Sequence, residues 1–133
     1  MVGATDLDYL LQAAKPSLDP EHYVFVTLPG KYGDHADWRP IASFVESEGL
    51  TLVLRRETAD EHSLTYEGVF RRITLQVHSS LSAVGLTARV AACLAAVGIS
   101  ANVLAAYHHD HIFVPADGAD RAVSALADLA ERA

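Results

Sequence analysis

The segment LAAYHHDHIFVP, residues 104–115, places three histidines and one aspartate in the four consecutive positions 108–111, between two apolar runs. In an extended strand, His109 and His111 project to the same side and could share a metal ion with a third ligand. The other candidate ligands lie at no metal-motif spacing, and there is no cysteine pair. Half-exposed histidines in a hairpin turn are the commoner reading, so we predict no metal site. The candidate third ligands are His35, His62 and His78.

Patterns typical of enzymes are incomplete in this sequence. Residues 78–85, HSSLSAVG, bring serines near a histidine but lack the G-x-S-x-G turn of serine hydrolases. Gly30 and Gly33 lack the strand-to-helix context and the Lys-Ser of a phosphate-binding loop. We therefore predict no catalytic residues, no cofactor and no enzymatic activity.

Composition restricts the class of protein. The chain has 133 residues, half apolar and a fifth charged, which is typical of a folded domain. Its net charge is −7 and its basic residues form no cluster longer than a pair, which argues against nucleic-acid binding. No apolar run reaches the roughly 18 residues of a membrane span, and no secretion signal is recognisable. The single cysteine, Cys93, lies in an apolar helical stretch, so we expect a reduced, buried thiol and a cytoplasmic protein.

Hydrophobic periodicity predicts an alternation of helices and strands. The clearest helix is LSAVGLTARVAACLAAVG, which has an apolar stripe and Gly98 as its C-terminal cap. A short helix at ETADEHSL is expected to be capped by Thr58, and the last helix by Asp117. The remaining predicted elements are a first helix at TDLDYLLQAAK and strands at HYVFVTLPG, IASFVESEG, LTLVLRR, VFRRITLQVHS, ISANVLAAY and HIFVP. The predicted stripe comprises Leu86, Val90, Cys93, Leu94 and Val97.

The second half of the chain has the strand–helix–strand–strand–helix order of a ferredoxin-like unit. In the segments GVFRRITLQVHSSLSAVGLTA and VGISANVLAAYHHDHIFVP the sequence resembles the ACT domain, through which many metabolic enzymes and regulators sense amino acids. YVFVTLPG and IASFVESEGLTLVL extend the resemblance to stand-alone bacterial ACT proteins with two ACT-like halves. It implies an α+β fold of ferredoxin-like βαββαβ type, with ACT-like halves at residues 1–67 and 68–133 that share strands.

One departure from the ACT pattern bears on assembly. An ACT unit ends with a fourth strand, whereas here the sequence stops with the second helix. The missing strand must come from the N-terminal half or from a second subunit, because an open sheet edge invites pairing. We expect strand sharing between the halves and a homodimer.

The resemblance also implies a ligand site between modules. A helix N-terminus at Gly85 suits an α-carboxylate, and Asp110 would receive the α-ammonium. The histidines would line the rim and make binding sensitive to pH between about 5 and 7. The prediction is a non-enzymatic regulatory module for an amino acid or similar zwitterion. The alternatives are an assembly protein without a ligand and, third, a histidine-based metal-binding or enzymatic protein. The predicted ligand-binding residues are Ser82, Ala83, Val84, Gly85, Leu86, Ser100, Tyr107, His109 and Asp110.

Overall fold

A computed structural model describes residues 11–76 and 85–132. Residues 11–13 are helical and lead into the first strand. Six strands and three α-helices follow: β1 Pro16–Leu28, β2 Ala42–Glu46, β3 Gly49–Arg55, α1 Arg56–Glu61, β4 Phe70–Leu75, α2 Leu86–Ala96, β5 Asn102–Ala105, β6 Asp110–Pro115 and α3 Ala119–Arg132. Short 3-10 turns occupy Ala36–Trp38 and Ala116–Gly118. The strand order is β2-β3-β1-β4-β6-β5.

The chain divides into two compact units. The first unit is Glu21–Phe70, and the second unit is Arg71–Ala133 together with Met1–Pro20. Strand β1 therefore contributes to both, because its residues 16–20 belong to the second unit. The predicted fold class, ferredoxin-like with two halves that share strands, is confirmed. The predicted division at residues 67 and 68 stays a prediction.

In the first unit, β3 pairs antiparallel with both of its neighbours, opposite β1 from Tyr23↔Arg55 to Leu28↔Leu50 and opposite β2 from Ala42↔Val53 to Glu46↔Gly49. Alternate residues of β1 and β3 face helix α1 and form a buried cluster. Thr58 is buried inside α1, which begins at Arg56, so the predicted cap role of Thr58 is wrong. The cluster contains Val24, Val26, Leu50, Leu52, Leu54 and Ala59.

In the second unit, α2 and α3 cover one face of β4 and β6. Helix α2 ends where the sequence predicts, because Gly98 adopts φ 76° and the N–H groups of Gly98 and Ile99 bond to the carbonyls of Ala95 and Leu94. The apolar stripe of α2 is only partly buried, since Val97 at its end is 42% exposed. Asp117 lies in the 3-10 turn that precedes α3. The core contains Leu11, Ala14, Ile73, Leu75, Leu86, Val90, Leu94, Ile99, Ile112, Val114, Ala119, Ala122 and Leu126.

Strand β1, from the N-terminal part of the chain, lies beside β4 in the sheet, as expected from strand sharing between the halves. Strand β1 begins at Pro16, six residues before the predicted start at His22. The carbonyl of Asp19 accepts bonds from Arg71 Nε and Nη2 at 3.1 and 3.0 Å, and its carboxylate binds Arg72 Nη2 at 2.7 Å. These contacts are distant in sequence, which is why local residue patterns did not predict the longer strand.

Candidate functional site

The candidate site lies at the edge of the second unit where β4 ends and β6 begins. Asp110 opens β6 opposite Ala105, and the intervening turn is closed by a bond from the N–H of Ala106 to the carbonyl of His109. Thr74, next to the last residue of β4, places its Oγ1 2.9 Å from His111 Nδ1. The turn at residues 106–109 therefore lies at the same edge as the end of β4.

The side chains of β6 alternate between the two faces of the sheet. Ile112 and Val114 belong to the core beneath α2 and α3, so Asp110, which has the same parity, faces the helices. Gly85 precedes α2 on that side and adopts φ 94°, a left-handed conformation that glycine accepts without a steric penalty. The first N–H groups of α2 have no partner within the helix, as at any helix start, and suit an anion. Asp110 and the start of α2 thus offer groups for opposite charges.

Asp110 is a half-buried carboxyl group, and its ionised form is destabilised by the loss of water around it. Desolvation raises the pKa of Asp110, and the neighbouring His111 only partly opposes this effect. A positively charged ligand group beside Asp110 would favour the ionised form and reverse the shift.

His111 lies on the opposite face, with Thr74 and Arg72. Burial lowers the pKa of His111, and the charges of Arg72 and His109 lower it further, against the pull of Asp110. A stable ion pair between Asp110 and His111 would lower the pKa of the carboxyl and raise the pKa of the imidazole. Both pKa values move the other way, so desolvation is the main cause of both shifts. Arg72 is held in place by the carboxylate of Asp19.

The other predicted site residues differ in their exposure and in their distance from Asp110. The side chain of Leu86 is 3% exposed in the core, so only its backbone can reach a ligand. Tyr107 is 73% exposed and packs edge-on against His108, with ring centroids 4.9 Å apart. Ser100 precedes β5 at the far end of the β5–β6 ladder from Asp110, since Asn102 pairs with Phe113, so these two residues are not brought together. Ser82, Ala83 and Val84 lie outside the described residues.

The histidines do not converge on a metal site within the described ranges. No group of three or more His, Cys, Asp or Glu side chains suited to a metal ion occurs in residues 11–76 and 85–132. His109 precedes β6, and His111 Nδ1 is engaged with Thr74. His35 and His62 each stack on Trp38 in the first unit, with ring centroids 4.0 and 4.7 Å from the indole. His78 is not among the described residues.

The sequence analysis did not predict two features near the site. Thr74 is a strand residue whose only signal was its alternation with Ile73 and Leu75. The Asp19–Arg72 pair joins residues 53 positions apart, and no local pattern points to it.

Comparison with known proteins gives consistent results. Two ACT domain family models match the chain, one over residues 2–71 and the other over residues 70–128. The structure resembles a Vibrio cholerae protein of unknown function, described as a possible transport protein, with 49% identity, a TM-score of 0.87 and coverage of 96% of this chain and 98% of that one. No curated protein matches this sequence.

More distant structures share the fold alone. The regulatory subunit of aspartate kinase from Thermus thermophilus has 15% identity, a TM-score of 0.61 and coverage of 88% of this chain and 99% of that one. An Agrobacterium tumefaciens protein has 18% identity, a TM-score of 0.69 and coverage of 88% and 89%. Together with the two family models, which span most of the sequence, the likeness is decisive: the chain belongs to the ACT domain family.

Proposed function

We propose that this chain is a stand-alone regulatory protein that binds an amino acid, or a similar small zwitterion, at the sheet edge formed by Asp110 and the start of α2. Membership of the ACT family supports a regulatory module of this general kind. The observation that carries the proposal is the position of Asp110, a half-buried carboxyl on the helix side of the sheet whose pKa burial raises.

The two ends of an amino acid match the two parts of this edge. The α-ammonium would pair with Asp110 and supply a positive charge that stabilises the partly desolvated carboxylate. The α-carboxylate would accept hydrogen bonds from the first N–H groups of α2, where Gly85 has no side chain to block the approach. Tyr107 and His109 would border the site from the hairpin, while Ser82, Ala83, Val84 and the backbone of Leu86 would complete the helix side. Ser100 is the weakest member of the predicted set.

We also propose that the protein is not an enzyme. Its output would then pass to another protein through the ligand-bound state. The reduced thiol of Cys93 fits a cytoplasmic location, where disulfides are rare. None of the helices in the described part of the chain is long and apolar enough to cross a membrane.

A homodimer through β2 is part of the proposal. Strand β2 lies at one edge of the sheet, and it exposes Phe44 by 70% and Val45 by 55%. These two side chains project to opposite faces, so the edge is apolar on both sides and suited to pairing with the same strand of a second copy. Sedimentation should show a dimer that Phe44→Lys dissociates, whereas Tyr32→Lys, at an exposed aromatic outside the strand, leaves it intact.

The test of the ligand is a thermal-shift screen of the protein against the twenty amino acids. A ligand at about a hundred times its dissociation constant adds roughly 2.7 kcal/mol, a rise of several degrees for a domain of this size. Asp110→Asn should abolish the shift, while Asp117→Asn, at an exposed aspartate, should keep it. No shift with any amino acid would favour the alternative of an assembly protein, for which the exposed β2 edge already offers a surface.

A further inference from the structure

A groove runs between α2 and α3 on the outer side of the second unit. It is open to solvent, has a volume of about 500 Å³ and is lined by side chains of both helices. Two contacts fix their register: Arg121 Nη1 donates to the carbonyl of Val97 at 3.1 Å, and Cys93 Sγ donates to the carbonyl of Ala125 at 3.4 Å. From the first contact to the second, the residue number rises along α3 and falls along α2, so the two helices are antiparallel.

The groove has two chemically different ends. Beyond the Cys93–Ala125 pair, Arg89 lies about one helical turn back along α2 and Arg132 about two turns further along α3, so both lie towards the same end. At the opposite end the lining side chains are apolar and include Ala96 and the 42% exposed Val97, while Arg121 lies outside the lining and donates to the carbonyl of Val97. The charged groups that line the groove are two arginines and Asp128, which leaves one excess positive charge in a protein whose net charge is −7.

We infer that the α2–α3 groove binds a monocarboxylate with an aliphatic or aromatic tail, the carboxylate at Arg89 and Arg132 and the tail along the apolar floor. Its volume lies in the range of small-molecule sites, which are mostly apolar with a few polar groups that orient the ligand. The planar guanidinium is the side chain best suited to grip a carboxylate through two bonds. This site is independent of the Asp110 site and requires no ammonium group on the ligand.

The shape of the groove argues against a second copy of the chain as its occupant. In a twofold dimer, the same patch meets itself, so a groove centred on the axis would face another groove. Its floor is formed by small side chains such as Ala92, Ala96 and Ala125, which supply no ridge to fill the partner's concavity.

Cys93, the only cysteine in the sequence, reports occupancy of the groove directly. Burial raises the pKa of its thiol, so alkylation by iodoacetamide, followed by intact mass, should be slow enough to time by hand mixing. Octanoate should slow alkylation about ten-fold at ten times its dissociation constant, because only the unoccupied protein reacts. Octanamide, which has the same tail without the charge, should protect far less.

Variants locate the carboxylate. Arg89→Gln combined with Arg132→Gln should remove the protection by octanoate, whereas Arg55→Gln, at an exposed arginine of the first unit, should not. Asp128→Asn should strengthen protection because it removes the only acidic group of the lining. The inference would be overturned by alkylation unaffected by octanoate, by equal protection from octanamide, or by undiminished protection in the double variant. Protection that rises with protein concentration alone would assign the groove to a second copy.

Discussion

Removing the carboxylate of Asp19 tests whether the two ACT-like halves share strand β1 through specific contacts. In the second unit, Asp19 Oδ2 lies 2.7 Å from Arg72 Nη2, while the carbonyl of Asp19 receives two bonds from Arg71. The substitution Asp19→Asn keeps the backbone contacts and the size of the side chain. It therefore isolates the ion pair.

The magnitude follows from the exposure of the two partners. The side chains of Arg72 and Asp19 are 27% and 17% exposed, so the pair is neither a surface pair nor fully buried. Surface pairs contribute about 0–1 kcal/mol, and removing one partner of a buried pair costs about 3–5 kcal/mol. We expect Asp19→Asn to lower the free energy of unfolding by about 2 kcal/mol, because it removes the charge of a carboxylate that pairs with a partly buried guanidinium.

Urea unfolding followed by circular dichroism measures this change. The midpoint should fall by about 1 M urea with an unchanged slope. Asp37→Asn, at an exposed aspartate of the first unit, should be neutral to within about 0.5 kcal/mol. A double-mutant cycle with Arg72→Met should give a coupling energy above about 1 kcal/mol. If Asp19→Asn behaves like Asp37→Asn, the ion pair does not help to hold the shared strand.

Three further perturbations follow from the same structure. The pKa of His111 is lowered on folding, so the unfolded chain takes up a proton before the folded protein does as the pH falls below about 6.5. The free energy of unfolding should therefore decline from there towards pH 5, and His111→Gln should flatten that decline in urea titrations. A methyl group at Gly49, where φ is 151°, would lie 2.9 Å from the carbonyl oxygen of Leu28, so Gly49→Ala should cost about 1–3 kcal/mol by thermal unfolding, and no loss would contradict this close approach. Leu94→Ala should cost about 2–5 kcal/mol by calorimetry because the side chain is fully buried, whereas Val97→Ala should cost less than about 1 kcal/mol; equal costs would contradict the burial pattern.

The sequence predicted the parts of the fold that depend on contacts between residues close together in the chain. The hairpin of β2 and β3 follows from alternating apolar residues on either side of a short polar turn, and the end of α2 follows from Gly98. Residues 16–21, PSLDPE, lack the β-branched residues of a typical strand, yet they extend β1 because β4 pairs beside them. Tertiary pairing outweighed the weak local preference there.

The candidate site divides in the same way. Asp110 and Gly85 were predicted from the resemblance to the ACT domain, which places a ligand at a helix start and at a strand end, and their part in ligand binding stays a prediction. The exposed position of Val97 and the separation of Ser100 from Asp110 depend on strand register and on where a helix meets its neighbours. Thr74 meets His111 only because β4 and β6 are adjacent, an arrangement that the order of elements along the chain does not specify.

In the proposed site, the ammonium group of an amino acid pairs with Asp110. Isothermal titration calorimetry should compare the best ligand from the thermal-shift screen with its N-acetyl derivative. We expect acetylation, which removes the positive charge, and Asp110→Asn each to weaken binding at least about ten-fold, equivalent to about 1.4 kcal/mol. Binding of the acetylated ligand as tightly as the free amino acid, or unchanged affinity in Asp110→Asn, would contradict it.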